Sequence, residues 1–478
     1  MIKIRLVLFT MLFSVAYLGA QNKQLLYDFY EIPQSLLINP GVKTPYKWHA
    51  GIPAISGIAV QAGTSGITLN DLFANDGIDF TDKVRDKVVN GLSQRDEFGG
   101  SLQLDILNIG FRNANRPEDY YSFGVYGELS VTQYWPKDLA ILAFEGNANN
   151  LNRRFSLSHL TTFGEGLSVF HFGINRKVSD KLRLGARGKI YSSIFEAKSK
   201  SNSGYFVTTQ GQNNLLRNTL VADVQLQTSG LNESVENEDS NESIGSLLAR
   251  RALFGGNLGL GFDVGFTYQL NEKTSITGSL LDVGFINHTK DVKNFTLEGT
   301  ASNEGIEIIL PESFEDLNSD IWENLIDDIE AQVPFETNSD SYITLRPIKL
   351  NASIRYNIGE QKQKTEDCYC GINGVENNSP FDYKNAVGGH LFIINKPKGP
   401  QAALTAFYQT RIGNALALKA TYTADKFTFT NIGLGLNFQA GPVNFYILGD
   451  NLLGYRNIPD SNYASLQFGF NIISWNRN

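Results

Sequence analysis

Histidine and cysteine, which often carry chemistry, are few in this 478-residue sequence, and the histidines are not grouped. The five histidines are His49, His159, His171, His288 and His390. No two of them have the spacing that would let them bind one metal ion from the same helix or strand. Neither a G-x-S-x-G nucleophile elbow nor a P-loop occurs. The sequence therefore predicts no catalytic residue, no metal site, no cofactor and no enzyme activity.

The two cysteines, Cys368 and Cys370, form the one unusual pair in the sequence. In an oxidising compartment they could close a strained local disulfide. A metal site would need two further ligands, and no obvious ones lie nearby. We therefore expect a loop staple or an incidental pair rather than a redox-active site.

A row of basic residues shares one parity of an alternating segment and comprises Lys181, Arg183, Arg187 and Lys189. Since alternate side chains of a β-strand point to the same face, all four should point inward if this strand belongs to a barrel. An inward row of positive charge would favour an anionic solute or a carboxylate headgroup. The alternative, which we favour, is that these bases pair with inward acids such as Asp263 and help to occlude the lumen.

His171 is the remaining candidate, because it has the lumen-facing parity of Asn175. Some barrel enzymes that modify lipids use Ser-His or Asp-His pairs. An ordinary lumen histidine is the stronger interpretation here, since no nucleophile motif accompanies His171.

A hydrophobic period of two, sustained over the 13 residues Leu258–Leu270, indicates the fold. Apolar residues occupy every second position, and glycine or polar residues occupy the positions between them. Strands of soluble proteins run to about 5–6 residues, and a helix with this pattern would have no apolar face. A strand this long can cross a bilayer at the tilt that barrels adopt. Its glycines precede no helix, which excludes a nucleotide-binding loop.

The same alternation recurs in several other segments, which are 182–190, 416–422, 432–438 and 464–472. Short polar turns join such runs at 176–181, 270–274 and 423–426. Short turns at one end and long loops at the other are typical of outer-membrane barrels. We therefore predict an all-β, transmembrane antiparallel barrel of about 14 strands, with a plug-like N-terminal segment.

The N-terminus predicts export from the cytoplasm. Lys3 and Arg5 precede an apolar run, and small residues end the segment at Ala20. This order is typical of a cleaved secretory signal peptide, and the apolar run is too short to span a membrane comfortably. We expect Sec export, cleavage near Ala20 and residence in a bacterial outer membrane among its lipids.

Composition excludes two other classes of protein. A mean hydropathy of −0.20 excludes a polytopic helical membrane protein. A formal net charge of −8 argues against nucleic acid as a partner.

The acidity is local, because residues 304–340 contain twelve carboxylates and no lysine or arginine. Apolar residues recur there at helical spacing, which predicts a short amphipathic helix in a long connection.

The domain organisation follows from these segments. Residues 1–20 form the signal peptide, and 21–97 a plug and first-strand region with a second helical pattern over Leu69–Leu92. Residues 98–478 form the barrel body, into which the acidic helical stretch 304–340 is inserted.

Recurring segments of the chain resemble those of an uncharacterised outer-membrane β-barrel family of the Bacteroidota. The segments are Tyr27–Phe29, Ile32–Gly41, Gly51–Gly57, Ser65–Phe73, Ser279–Ile286 and Asp450–Gly454. The Leu-Ile-Asn-Pro sequence at 37–40 is similar to the PorP/SprF membrane proteins of type IX secretion. The layout is similar to long-chain fatty-acid-transporter-like barrels, which have fourteen strands and an N-terminal plug. These resemblances imply location and fold, and they transfer no residue role.

Two functions agree with this sequence. The first is a non-enzymatic interaction or secretion-accessory barrel that binds periplasmic or surface proteins of a secretion machinery. The alternative is a passive channel or transporter for hydrophobic or anionic small molecules.

Overall fold

Long β-strands make up most of the computed structural model, which describes residues 24–200, 202–211, 216–232, 244–304, 336–359, 383–413 and 415–474. The strands are β1 (Trp48–Gly51), β2 (Ile58–Thr64), β3 (Glu97–Arg112), β4 (Asp119–Tyr134), β5 (Arg154–Ser156), β6 (Thr162–Lys177), β7 (Leu182–Ser199), β8 (Ser203–Gln210), β9 (Leu216–Ser229), β10 (Asn257–Gln269), β11 (Thr274–His288), β12 (Val292–Glu304), β13 (Glu336–Asn338), β14 (Tyr342–Leu345), β15 (Lys349–Ile358), β16 (Asn385–Lys396), β17 (Gly399–Ile412), β18 (Leu416–Ala424), β19 (Asn431–Ala440), β20 (Val443–Asp450) and β21 (Tyr463–Ile473).

Helices in the described ranges are short, and none of them forms part of the wall. The α-helices are α1 (Ser35–Ile38), α2 (Leu69–Phe73), α3 (Phe80–Lys83), α4 (Lys137–Glu145) and α5 (Ile244–Arg250). Single π-helical or 3-10 turns occupy Val84–Asn90, Leu157–His159, Arg251–Gly255, Gly454–Arg456 and Ile458–Asp460. Among the described residues, no helix is both long and apolar enough to cross a membrane.

The strands close into an antiparallel barrel of 14 positions, which confirms the predicted fold. β1 and β2 form one interrupted strand, because both pair with β3 on one side and with β21 on the other. β14 and β15 likewise share one position beside β11. Around the wall the order is β1/β2, β3, β4, β6, β7, β10, β11, β14/β15, β16, β17, β18, β19, β20 and β21.

Strand β10 has the two faces that its sequence predicts. Its apolar side chains are exposed on the outer surface, and Leu260 is 58% exposed. Asp263, which has the opposite parity, is completely buried on the lumen side. The same alternation in β7, β18, β19 and β21 gives the barrel an apolar outer belt. An apolar belt around a polar interior is the surface that lipid requires of a membrane barrel.

The two ends of the barrel differ. The turn end carries short connections at 113–118, 178–181, 270–273 and 441–442. The long connections 65–96, 135–161, 200–256 and 451–462 lie at the other end, which we call the loop end. The described chain also enters and leaves the wall at the turn end, where the Ser474 amide donates to the Trp48 carbonyl at 2.8 Å. The predicted turn at 423–426 lies at the loop end instead, within the connection from β18 to β19.

Part of the sheet rises above the loop end. Lower β7 pairs with β10, whereas its last residues, Glu196–Ser199, pair with β9. β9 then pairs with β8 and β12, and β12 pairs with β13. The wall therefore divides at upper β7 into the barrel and an extension above its rim.

Some predicted elements lie at a different place in the structure, and others lie outside the described residues. The pattern over Leu69–Leu92 forms α2, α3 and the turn Val84–Asn90, which lie at the loop end rather than in the lumen. The proposed signal peptide lies outside the described residues, as do the amphipathic pattern within the acidic stretch and both Cys368 and Cys370.

Candidate functional site

The lumen is occupied by residues Gln24–Tyr46, which we call the plug. Most of its side chains are buried, although it contains only the one-turn helix α1. Local turns set its path, for example through the Phe29 amide, which donates to the Leu26 carbonyl at 3.1 Å. Because so little of the plug is regular, contacts with the wall must hold it in place.

An apolar cluster joins the plug to the wall at β11, β18 and β20. Its buried members from the plug are Leu25, Leu26, Tyr27, Phe29, Ile32 and Ile38. Its members from the wall are Leu281, Ala417, Tyr446 and Leu448. The lumen thus contains a small hydrophobic core of the kind that stabilises soluble domains.

The Asn-Pro-Gly end of the plug motif lies directly against glycines of the wall. A Cβ atom on Gly185 of β7 would lie 2.0 Å from the Pro40 carbonyl oxygen. A Cβ atom on Gly265 of β10 would lie 2.2 Å from Asn39 Oδ1. Only glycine permits so close a backbone approach, so these two positions form the docking surface for Asn39–Gly41.

Polar side chains of the wall satisfy the carbonyls of this docked segment. Asn175 donates from Nδ2 to the carbonyls of Pro40 at 2.5 Å and Val42 at 2.8 Å. Thr267 donates to the Gly41 carbonyl at 2.9 Å. Arg183 donates to Asn175 Oδ1 at 2.7 Å and so orients the asparagine. Arg183 therefore points into the lumen as predicted, where it supports the plug contact.

Arg187 connects the plug to the charged residues of the lumen. Its guanidinium donates to the Leu37 carbonyl at 3.0 Å and also to the Leu36 carbonyl. It also pairs with Asp263 at 3.1 Å, and Lys189 contacts the same carboxylate at 2.9 Å. For Arg187 and Lys189 the structure shows the expected alternative of pairing with Asp263.

Eight charged side chains continue this network across the lumen. In order of contact they are Arg187, Asp263, Lys189, Asp282, Lys349, Glu128, Arg346 and Glu165. The set contains four bases and four acids, so it presents no excess of positive charge. Within this network, the bases Arg187 and Lys189 are therefore matched by acids.

Lys181 departs from the prediction that all four bases point inward. It is exposed in the turn before β7 begins at Leu182. Its carbonyl accepts from the Gln269 amide at 2.7 Å, but its side chain lies outside the strand. Parity fixes direction only within a strand, so it does not apply to this turn residue.

A second set of plug anchors was not predicted from the sequence. The Asp28 carboxylate accepts from Thr277 at 3.0 Å and from Ser353 at 2.5 Å. Glu31 accepts from Gln409 at 2.9 Å and pairs with Arg411. Their partners lie more than two hundred positions away along the chain, so no local pattern signals the contacts.

His171 lies on the lumen face of β6 as predicted. It is buried, and its ring centroid lies 5.9 Å from that of Tyr126. Its Nδ1 has no hydrogen-bond partner within the described ranges. Among the described residues, no serine or carboxylate contacts His171 to form a nucleophile–base pair. Its contacts show only that it helps to fill the lumen.

His288, unlike His171, has a serine and a carboxylate as neighbours. Ser229 Oγ lies 2.7 Å from His288 Nδ1, and Glu196 Oε2 lies 3.3 Å from His288 Nε2. The order serine, histidine, carboxylate is that of a hydrolase triad. All three side chains are completely buried, however, and Tyr342 stacks on the imidazole at 4.6 Å. The hydroxyl is closed to a substrate in this arrangement, which instead ties β7 to β9 and β11.

The loop end is closed by contacts that span the barrel. Glu97 at the start of β3 pairs with Lys396 at 3.1 Å and with Lys426 at 3.0 Å. Gln401 donates to the same carboxylate at 2.6 Å. β3 stands on the opposite side of the wall from β16 and β17, so Glu97 draws two connections inward over the mouth. We call these four residues the loop-end clamp.

Comparison with known protein families identifies the family of this chain. A model of a family of unknown function, DUF5723, matches residues 40–450, so the chain belongs to that family. No curated protein matches the chain in sequence.

Several solved structures are similar in fold. The Ralstonia pickettii toluene transporter TbuX has a TM-score of 0.41 and 10% identity, covering 92% of this chain and 93% of its own. The Pseudomonas putida toluene transporter TodX has a TM-score of 0.36 and 9% identity, covering 96% of each chain. A Pseudomonas aeruginosa FadL homologue has a TM-score of 0.38 and 9% identity, covering 92% of this chain and 93% of its own. Values this low assign no ligand to the present chain.

Proposed function

We propose that this protein is a gated, non-enzymatic passage for hydrophobic small molecules in a bacterial outer membrane. The observation that carries the proposal is that a separate segment of the chain, Gln24–Tyr46, occupies the barrel. Side chains alone fill a barrel of about 8 strands, whereas barrels of 16–18 strands are open pores. A barrel of fourteen strands encloses a lumen, which this chain closes with its plug. A plug suits a passage whose closure must be reversible.

The charge of the lumen favours hydrophobic over anionic cargo. Arg187 and Lys189 already share Asp263, so neither is free to attract a solute. The apolar side of the plug, which includes Leu25, Phe29 and Ile32, offers a surface along which a hydrophobic molecule could move once the plug shifts.

Membrane location is supported by the apolar outer belt, and export by the N-terminal residues. We propose that residues 1–20 are cleaved as a signal peptide. The mass of the purified mature chain tests cleavage near Ala20. Fractionation with an electrophoretic heat-modifiability assay tests the folded barrel and its membrane.

The cargo is tested by uptake in whole cells, because their outer leaflet slows hydrophobic molecules. Radiolabelled toluene and benzoate share a ring and differ in a carboxylate. Cells that produce the protein should accumulate toluene faster than cells with an empty vector, and benzoate at an unchanged rate. Faster benzoate uptake would support anionic cargo instead. No change for either probe would contradict the passage.

A second function is favoured by exposed apolar residues at the loop end. Phe73 of α2 is 66% exposed and stacks on Phe80 of α3, and Ile78 between them is also exposed. Such a patch suits protein contact and agrees with an interaction or secretion-accessory barrel. If the resemblance of residues 37–40 to PorP/SprF proteins reflects kinship, the partners would be periplasmic or surface secretion components. Crosslinking in cells should then recover such partners with the native chain and lose them with Phe73→Ser.

A further inference from the structure

Two apolar residues of β16, Phe392 and Ile394, stand at lumen-facing positions just inside the loop-end clamp. The lumen-facing positions of the neighbouring strand β15 hold polar residues. Phe392 pairs in register with Asn351 of β15 and with Ala403 of β17, and both partners are buried on the lumen side. Residues that face each other in paired strands share one side of the sheet, so Phe392 and Ile394 point into the lumen.

Open space lies in the lumen beside these side chains. Phe392 and Ile394 are partly exposed, and a side chain on the lumen face can be reached only from within the barrel. Ser101 of β3 and Ser130 of β4 pair in register on the opposite side of the wall. Both serines have lumen-facing parity and are also partly exposed. We call the space between these four residues the chamber.

The lengths of the side chains explain why the lumen is open here. At the level of the clamp, Glu97 and Lys396 are long enough to meet across the lumen at 3.1 Å. On the lumen face of β3, Glu97 is followed by Gly99 and Ser101. On β16, the next lumen-facing residue inward from Lys396 is Ile394. These shorter side chains cannot span the same gap, so space remains directly beneath the clamp.

The plug closes the chamber on the other side. Tyr27 stacks on His390 of β16, with ring centroids 4.2 Å apart. His390 is buried and lies on the same face as Phe392, two positions away. From His390 to Lys396 the strand advances by about 20 Å. The chamber is therefore long enough for a molecule the size of one aromatic ring.

The side of the chamber that faces Phe392 offers hydroxyl groups. Ser101 Oγ accepts from Gln61 Nε2 at 2.7 Å, which fixes its position. The Ser130 hydroxyl has no hydrogen-bond partner among the described residues. Because a hydroxyl can both donate and accept, Ser130 can bind a hydroxyl group of a ligand. An apolar wall with a few polar groups is the usual lining of a small-molecule site.

The charges beside the chamber are already engaged. Lys349, the register partner of Ile394 on β15, contacts Asp282 at 2.8 Å and Glu128 at 3.7 Å. Both lysines of the clamp contact its carboxylate. An ammonium that is held by a carboxylate attracts a further anion only weakly. A neutral molecule therefore suits the chamber better than an anion.

We propose that the chamber binds a small neutral molecule with an apolar body and one hydroxyl, such as a phenol. Its ring lies against Phe392 and Ile394, and its hydroxyl forms a hydrogen bond with Ser130. The inference rests on the proposed function, because it names the class of molecule that the passage holds between its two closures. It assigns Ser130 as the residue that distinguishes a phenol from a hydrocarbon.

The test is fluorine NMR of para-fluorophenol and para-fluorotoluene, titrated into the purified, folded full chain in detergent. The two probes differ in a hydroxyl and a methyl group, and micelles without protein give the reference for partitioning. Ser130→Ala should weaken binding of the phenol about fivefold, which corresponds to about 1 kcal/mol, and leave binding of fluorotoluene unchanged. Ile394→Asn should weaken binding of both probes. Ser122→Ala removes another lumen-facing serine of β4, nearer the turn end, and is the matched control that should change neither affinity.

Three outcomes would overturn the proposal. They are no saturable binding of the phenol by the wild type, an unchanged affinity for the phenol in Ser130→Ala, and an equal loss for both probes in that variant. A heat-modifiability assay on each variant separates these outcomes from misfolding. Failure of the proposed function is distinguishable, because cells would then show unchanged toluene uptake while the purified chain still binds the phenol.

Discussion

Gly185 in the barrel wall and Pro40 in the plug are in backbone contact, because a Cβ atom on Gly185 would lie 2.0 Å from the Pro40 carbonyl oxygen. The contact brings that carbonyl to Asn175 Nδ2 at 2.5 Å. The absence of a side chain at Gly185 therefore lets this part of the plug reach its polar partner Asn175.

Gly185→Val should release the Asn39–Gly41 segment from the wall. The plug would then become open to trypsin at Lys43, which lies just beyond the docked residues. Mass spectrometry of the digested, folded barrel measures this cleavage. Gly188→Val is the matched control, since a Cβ atom on Gly188 meets nothing within 4 Å and lies on the outer face of the same strand. Equal cleavage of the two variants would contradict the docking role of Gly185.

Strand positions and faces were predictable from the sequence, because a period of two is a local property. The run at 258–270 and its lipid and lumen faces agree with β10. The pairing of Arg187 with Asp263 was foreseeable once both residues were assigned to the lumen. Lys181 was misplaced because parity ends where the strand ends.

Contacts across the barrel were not predictable from one sequence. Glu97 and Lys396 are separated by 299 positions, and nothing near either residue signals the other. The same holds for the anchoring of Asp28 by Ser353, at a separation of 325 positions. These contacts depend on the closure of the wall, which sets which strands face each other. The sequence pattern indicates that a wall exists but does not determine its cross-lumen neighbours.

An arginine on the lipid face should destabilise the barrel according to its depth. Phe262→Arg lies near the middle of β10 and should lower the free energy of unfolding by about 2–4 kcal/mol. Tyr268→Arg, on the same face at the turn end, should cost about 0–1 kcal/mol. Reversible urea unfolding in lipid vesicles measures both values. Equal costs at the two positions would show that this face of β10 is not buried in lipid.

Loss of the Asp263 carboxylate should be strongly destabilising. Asp263→Asn leaves Arg187 and Lys189 buried with less compensation, and breaking a buried pair costs about 3–5 kcal/mol. The matched control is Asp180→Asn, whose carboxylate contacts Lys177 at 2.9 Å in an exposed turn. That change should leave stability unaltered, because exposed ion pairs contribute little. Urea unfolding in lipid vesicles measures the stability of both variants. A small effect for Asp263→Asn would mean that water already screens the charged network.

The plug and the loop-end clamp should act as two closures in series. Glu97→Gln removes the charge that holds Lys396 and Lys426 over the mouth, while the plug still fills the lumen. Gly185→Val loosens the plug, while the clamp still spans the mouth. We expect the wild type to be nearly silent in planar-bilayer recordings. Each single variant should then stay nearly silent as well, and the double variant should conduct steadily. If Glu97→Gln alone conducts as well as the double variant, the plug does not close the lumen. If the double variant is silent although trypsin cleaves its plug, a further barrier lies between the two closures.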